Sequence, residues 1–330
     1  MKRRLPITIC LLLVLALSTG LVVPATSKVI ELTVVDNRGN QKDAELQEFW
    51  DWANRVTKAT NGAIVFKYKG GPEVYPLFEA VDACTKGLFD VYTGVATYYS
   101  TLIPEALADA LVQKGVIDLR KDGYNDIMNQ IFAKHNLYYL MNHRGGIMAS
   151  SGVFTTKPIG KPEELEGVKF RAKEPEDSML KGWGATTVMV KATELYSAAQ
   201  RGIVEGCTFP ANASFMGRSL HEVFKFWVGP GFFRVTTMSS FNLKKWQSIP
   251  EAQRATMLKI LDEVEKEWVV KWQGLINAEQ AKLKTLVKRV EWSEGDNKKF
   301  IDQGYEAAWA VLMKKIPEWG PKLKAAGGSR

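Results

Sequence analysis

The chain has 330 residues, 46% of them apolar and 24% charged, with a formal net charge of +8. That balance belongs to a folded globular protein and excludes disorder. No stretch reaches the 18 or so consecutive apolar residues of a clear membrane span, and three cysteines with three histidines are too few for a disulfide scaffold or a histidine-rich metal centre.

The amino terminus comes first and has the order of an export signal. Lys2, Arg3 and Arg4 form a positive cap, Leu5 to Leu17 is apolar apart from Pro6 and Thr8, and Ala25-Thr26-Ser27 offers small residues for cleavage. Residues 1–27 are therefore expected to be a Sec signal peptide and the chain to be periplasmic. The alternative is an uncleaved anchor, since Leu21-Val22-Val23 carries apolar character past Gly20, but the strongly apolar run is short for a bilayer. Cys10 lacks the small preceding residue of a lipid-attachment site. The mature lysines are spread along the chain, with a modest excess at Lys282, Lys284, Lys288 and Arg289 that reads as a solvated helix face, so nucleic acid is not an expected partner. Cys84 and Cys207 are free to pair in an oxidising compartment, but their spacing does not decide it.

From Lys28 to Val35 the residues favour a strand, which ends in the turn Asp36-Asn37-Arg38-Gly39. Leu46, Phe49, Trp50, Ala53 and Val56 fall at helical spacing, and Asn61-Gly62 stops that helix. Ala63 to Tyr68 alternates as a strand, Leu77, Ala80, Val81 and Cys84 share one helix face, and Leu88 to Val95 is the next strand. Strand, helix, strand, helix, strand is the order of an α/β lobe with a mainly parallel sheet.

The middle of the chain repeats the theme. Gly146 to Phe154 reads as a strand, Pro162 to Leu165 as a short acidic helix, Val168 to Arg171 as a very short strand and Asp177 to Trp183 as a helix. Thr193 is expected to cap a helix running through Tyr196, Ala199 and Ile203, with Glu194 in its first turn. Gly206 to Phe209 is a strand stopped by Pro210. From Pro250 to about Arg289 the pattern is one long helix with Trp268, Trp272, Leu275 and Ile276 on one side. No Gly- or Pro-rich linker divides the chain. The expected layout is a first lobe of 28–148 plus about 236–275 and a second of 149–235 plus about 276–330, with a cleft that closes on a ligand between them.

Signatures of catalysis are missing. There is no G-x-S-x-G, H-E-x-x-H, C-x-x-C or P-loop, Gly182-Trp183-Gly184-Ala185 lacks the third glycine of a dinucleotide loop, and His135, His143 and His221 are far apart in sequence. The balance favours a binder over an enzyme.

Four segments in order then carry a resemblance. Gly167-Val168-Lys169-Phe170-Arg171 resembles the G-x-K-x-R segment of the solute-binding proteins of TRAP (tripartite ATP-independent periplasmic) transporters. Glu194 to Gly206 is similar to that family's E-x-Y-x-A-L-Q-x-G-x-V-D-G, with Ala199 for Leu and Glu205 for Asp. Glu79-Ala80-Val81 to Asp90 resembles its E-A-V-x-x-G-x-x-D, and Leu243 to Pro250 its W-x-x-L-P. The resemblance spans nearly the whole mature chain. It implies an α/β, two-lobed periplasmic binding fold with a long helix spanning both lobes, closure over an organic carboxylate, a membrane permease as partner, a monomer or homodimer, and no catalysis.

Residue by residue, Arg171 matches the family's carboxylate-clamping arginine. A guanidinium suits that role because its paired donors fit a carboxylate in one plane and it stays charged when desolvated. Its alternative role is an ordinary salt bridge to Glu174 or Glu176. Departures shape the expected ligand. A second arginine common in sugar-acid-binding members falls on Ser151, an asparagine before the proline after D-G is Phe209, and a polar residue after the third strand is Val95, with Tyr98 a turn later. Phe209, with Phe232 and Tyr98, would form an aromatic wall; the alternative is that Phe209 and Phe232 are core residues. These residues favour a 2-oxo, branched or aromatic monocarboxylate over a polyhydroxy sugar acid, whose hydroxyls would lack partners. Ser151 offers a hydroxyl to the carboxylate, and Asn37 is a further candidate contact. No metal or cofactor is expected. The rival readings are a secreted α/β enzyme acting on a carboxylate and a periplasmic sensory ligand-binding module.

Overall fold

The computed structural model describes residues 29–43, 46–143, 150–234 and 236–328; the expected signal peptide and the first part of the strand expected from Gly146 lie outside them. Its strands in chain order are β1 (Ile30–Asp36), β2 (Ile64–Gly70), β3 (Val91–Val95), β4 (Leu137–Asn142), β5 (Ser150–Thr155), β6 (Lys169–Arg171), β7 (Thr186–Val188), β8 (Gly206–Pro210), β9 (Phe226–Arg234), β10 (Thr237–Asn242) and β11 (Lys288–Val290). They form two mixed sheets, ordered β2-β1-β3-β10-β4 and β11-β9-β5-β8-β6-β7.

β1 pairs in parallel with both β2 and β3, as the alternating order of strands and helices predicts. The helix Gln47–Ala59 buries Phe49, Trp52, Ala53 and Val56 against this sheet. Buried apolar area of this kind is the main stabilising contribution of such a helix. Leu88, read as part of β3, is exposed and precedes the strand.

The chain passes between sheets three times: from β4 to β5, from β9 to β10, and along the helix Glu251–Leu286 to β11. That helix docks on the first sheet's side through indole N–H bonds, Trp268 to Asp51 at 2.8 Å and Trp272 to Glu48 at 2.7 Å. Leu283 and Val287 pack in the second sheet's cluster. Leu275, expected beside the tryptophans, is 45% exposed, because the buried stripe runs at i+4 spacing through Val264, Trp268, Trp272 and Ile276 and Leu275 falls off it. Arg289 is on β11 rather than on a solvated helix face. Its guanidinium bonds the carbonyls of Trp227 and Gly229 and lies 4.8 Å from the Trp227 ring centroid.

The helix expected behind Thr193 runs only over Leu195–Gln200; its N-cap is Glu194, with no side-chain cap bond. The chain ahead of it is held instead by a bond from Arg171 to the Val190 carbonyl, and Gly202 at φ +68° turns the chain before Ile203. After β11, the helix Glu294–Lys315 packs on the helix Glu176–Gly182 and on β9, and the last helix, Gly320–Ala326, returns to the helix Tyr124–Ala133. Cys84, on the helix Ala80–Thr85, and Cys207, on β8, are buried and free. Among the described residues no helix is long and apolar enough to cross a membrane.

Candidate ligand-binding cleft

The site forms where strand ends from the two sheets face each other. On the first side, Asp36 closes the turn after β1 by accepting from the backbone N–H of Arg38 at 2.7 Å and Gly39 at 2.8 Å. Gly39 has φ +70°, and a Cβ on Gly71 would come within 2.3 Å of its nitrogen, so the turn is seated closely. Asn37 and Arg38 then line the cleft, joined by Val95, Thr97 and Tyr98 from the end of β3 and the helical turn after it. The second side supplies Ser151 from β5, Arg171 and Lys173 from the end of β6, Glu176 from the next helix and Phe209 from β8; Arg234 and Thr236 close it where β9 passes to β10. The enclosed cavity is about 160 Å³. Drug-sized ligands occupy roughly 300–1,000 Å³, so the space suits a smaller solute.

Arg171 is 8% exposed. Its Nε donates to the Val190 carbonyl at 3.0 Å, and its guanidinium carbon stands 6.0 Å from the Phe209 ring centroid. No ion pair joins it to Glu174 or Glu176. Glu174 accepts instead from Ser178 at 2.6 Å and Glu176 from Ser151 at 2.9 Å. The salt bridge weighed as an alternative is therefore not formed, and one anchored nitrogen fixes the fork beside the cavity.

Two further cations flank it. Lys173 donates to the Thr97 hydroxyl at 3.2 Å, a hydrogen bond from one lobe to the other. Burial lowers its pKa below the usual lysine range, and Glu176 pulls it back up. Arg234 donates to the Val112 carbonyl at 3.3 Å and lies in the field of Asp109. Asp109 is fully buried, accepting from Tyr124 at 2.6 Å, Asn142 at 2.7 Å and Tyr139 at 3.1 Å. Burial raises its carboxyl above the ordinary range, and these bonds and Arg234 oppose the shift. Counting Arg38 and Arg218 as well, five cations and two carboxylates among the described residues line one cavity. Such a surplus of positive charge in a dry cleft favours an anionic guest.

Of the residues singled out in the sequence, Asn37, Val95, Tyr98, Ser151, Arg171 and Phe209 meet in this wall. Phe232 does not. It packs edge-on against Phe233 and Phe300, in the core behind the cleft. Phe233 has φ +30°, which breaks the strand's alternation and lets Arg234 reach the cavity while Phe232 faces inward. Sequence reasoning missed Arg38, Lys173, Glu176, Arg218 and Arg234. Nothing in the sequence marked Arg234, which pairs across the strands with Ser150 beside the cleft only in the fold. Among the described residues no three His, Cys, Asp or Glu side chains group as metal ligands.

The model of the family described as bacterial extracellular solute-binding protein, family 7, matches residues 37–313. Solved structures share the fold at low identity. A TRAP periplasmic solute-binding protein from Desulfovibrio salexigens with bound orotic acid superposes with TM-score 0.77 at 17% identity, covering 90% of this chain and 97% of its own. One from Rhodoferax ferrireducens with bound malonate gives 0.73 at 21%, covering 90% and 97%. One from Xanthobacter autotrophicus PY2 with bound β-D-galacturonate gives 0.73 at 15%, covering 91% and 100%.

Proposed function

We propose that this chain, which belongs to the bacterial extracellular solute-binding proteins of family 7 and is a TRAP solute receptor, not an enzyme, binds a small organic monocarboxylate through Arg171. The observation that carries this reading is a buried guanidinium in the cavity wall that is held by a backbone carbonyl and ion-paired to neither nearby glutamate. A carboxylate docked on its free edge would form a charge-assisted pair, worth about 1.5–3 kcal/mol net.

The Phe209 ring centroid lies 6.0 Å from that guanidinium carbon and the ring would border the solute's body, and Val95 and Tyr98 would face it from the other lobe. This lining and the small cavity support a branched or planar acid over a polyhydroxy sugar acid. Lys173 bonds Thr97 across the cleft, and a bound anion would hold the lobes together by neutralising the cations they share. The receptor then delivers its solute to the membrane permease. Export by the Sec route is the reading that residues 1–27 support.

A thermal-shift screen of the protein lacking residues 1–27 against organic acids tests the reading. A ligand at about 100 times its Kd stabilises by about 2.7 kcal/mol. Arg171→Ala is expected to abolish that shift while the circular dichroism spectrum of the free protein is kept. A shift of unchanged size in Arg171→Ala would remove the arginine from its role.

A further inference from the structure

We propose that Lys173 is a nucleophilic amine that captures a 2-oxo acid as a reversible imine while Arg171 holds the acid's carboxylate. The inference rests on the Arg171 reading and adds a covalent step to it.

Lys173 lies two residues after Arg171, is half-buried and lines the same cavity. Its Nζ donates to the hydroxyl of Thr97, which lines that cavity from the other lobe, so the side chain runs along the wall that a solute meets. The surface lysines Lys86, Lys181, Lys266 and Lys298 each pair with an aspartate one helical turn away. Lys173 has no carboxylate at that distance among the described residues. Glu174 accepts from Ser178 and Glu176 from Ser151, and the hydroxyl of Thr97 carries no charge to hold an ammonium in place. Burial pushes the amine below the usual lysine range, Arg171 and Arg38 push the same way, and Glu176 opposes them. Desolvation beside other cations is one of the ways in which a protein turns a lysine into a nucleophile.

The reaction needs an electrophile next to the carboxylate. In a 2-oxo acid the keto carbon is bonded directly to the carboxylate carbon, so docking on Arg171 brings it into the space that Lys173 borders. The lone pair of the neutral amine adds to the keto carbon, and the carbonyl pair moves onto oxygen. Both amine hydrogens then leave with that oxygen as water, and a C=N bond remains. Nothing is oxidised or reduced. Water reverses the step, so the solute is released unchanged and the receptor turns nothing over. Saturated, hydroxy and amino acids have no electrophilic carbon at that position, and Arg171 holds them without capture. Confining amine and carbonyl in one small cavity makes their encounter effectively intramolecular.

Reductive trapping tests this. The protein lacking residues 1–27 is incubated with glyoxylate, pyruvate, 2-oxoisovalerate or phenylpyruvate and sodium cyanoborohydride, which reduces an imine to a stable secondary amine. The modified lysines are mapped by mass spectrometry. At least one acid is expected to label Lys173 about tenfold or more above Lys157, whose side chain is 82% exposed. In Arg171→Ala the labelling of Lys173 should fall to the level of Lys157. Thermal shifts with the same acids separate the two readings. A shift without preferential labelling by any of them overturns the capture step alone. Preferential labelling that persists in Arg171→Ala overturns the clamp and leaves the nucleophile standing. Neither shift nor labelling overturns the capture step and leaves the clamp to the wider acid screen. The labelling of the unaltered protein decides the matter even if Arg171→Ala fails to fold.

Discussion

Asp109 and Glu176 are both buried carboxylates, and their surroundings separate structure from function. Asp109, inside the first lobe, has both oxygens occupied by Tyr124, Tyr139 and Asn142. Glu176, at the cleft, has one oxygen on Ser151 and the other buried without a hydrogen bond. Burying a charge is tolerated where hydrogen bonds compensate it. Where compensation is incomplete, the fold is less stable than it would otherwise be. Arginines divide in the same way: Arg289 is held by strand carbonyls, while Arg171 has one such anchor and an open edge.

The comparison breaks if the two carboxylates respond alike. Asp109→Ala is expected to lower the unfolding free energy by about 3–5 kcal/mol, as loss of a buried charged partner does. Glu176→Ala should change it by no more than about 1 kcal/mol, the net value of one hydrogen bond. Urea unfolding of both variants without ligand measures this. For the arginines, Arg171→Ala should weaken solute affinity by about 2–5 kcal/mol, and Arg289→Ala should lower stability with affinity kept; calorimetry and unfolding together separate the two.

A third buried cluster sharpens the contrast through pH. His143 is fully buried, its Nε2 is 2.7 Å from Ser239 Oγ and its Nδ1 is 3.8 Å from Glu48. Burial pushes its pKa from 6.5 down to about 3. The unfolded chain therefore takes up a proton that the native state refuses, and stability falls as the pH drops from about 6.5 toward 3. His143→Gln should remove up to about 1.4 kcal/mol per pH unit of that slope. Glu48, raised by the same burial, acts with the opposite sign, losing stability as pH rises, so the difference between the two proteins is the quantity to follow. The smallest effect is expected at Phe209. Phe209→Asn should weaken binding of apolar acids by about 1–2 kcal/mol and that of hydroxylated ones less; equal losses would count against a wall role for the ring.

Much of the first sheet's first half was legible, because helix Gln47–Ala59 and its flanking strands obey clean periods of 3.6 and 2. The stretch from 96 to 142 was not read, since it holds short helices and a 3-10 turn over Pro104–Ala110 whose apolar pattern is too brief to show a period. Arg171 was legible from a short motif, but not from any physical signal in its neighbours. Lys173, Glu176 and Arg234 look in sequence like ordinary surface charges. Only the meeting of β6, β9 and the turn after β1 makes them neighbours. Phe232 was misread for the converse reason, because its strand's alternation breaks at Phe233.

The position of β10 carries a consequence for how the protein is made. It lies between β3 and β4, antiparallel to both, yet the whole of β5 to β9 precedes it in the chain. A polypeptide made amino end first must leave two strand edges unpaired until Asn242 has been added. The first sheet is thus completed only after most of the second has been made, and such late, distant pairing is intrinsically slow.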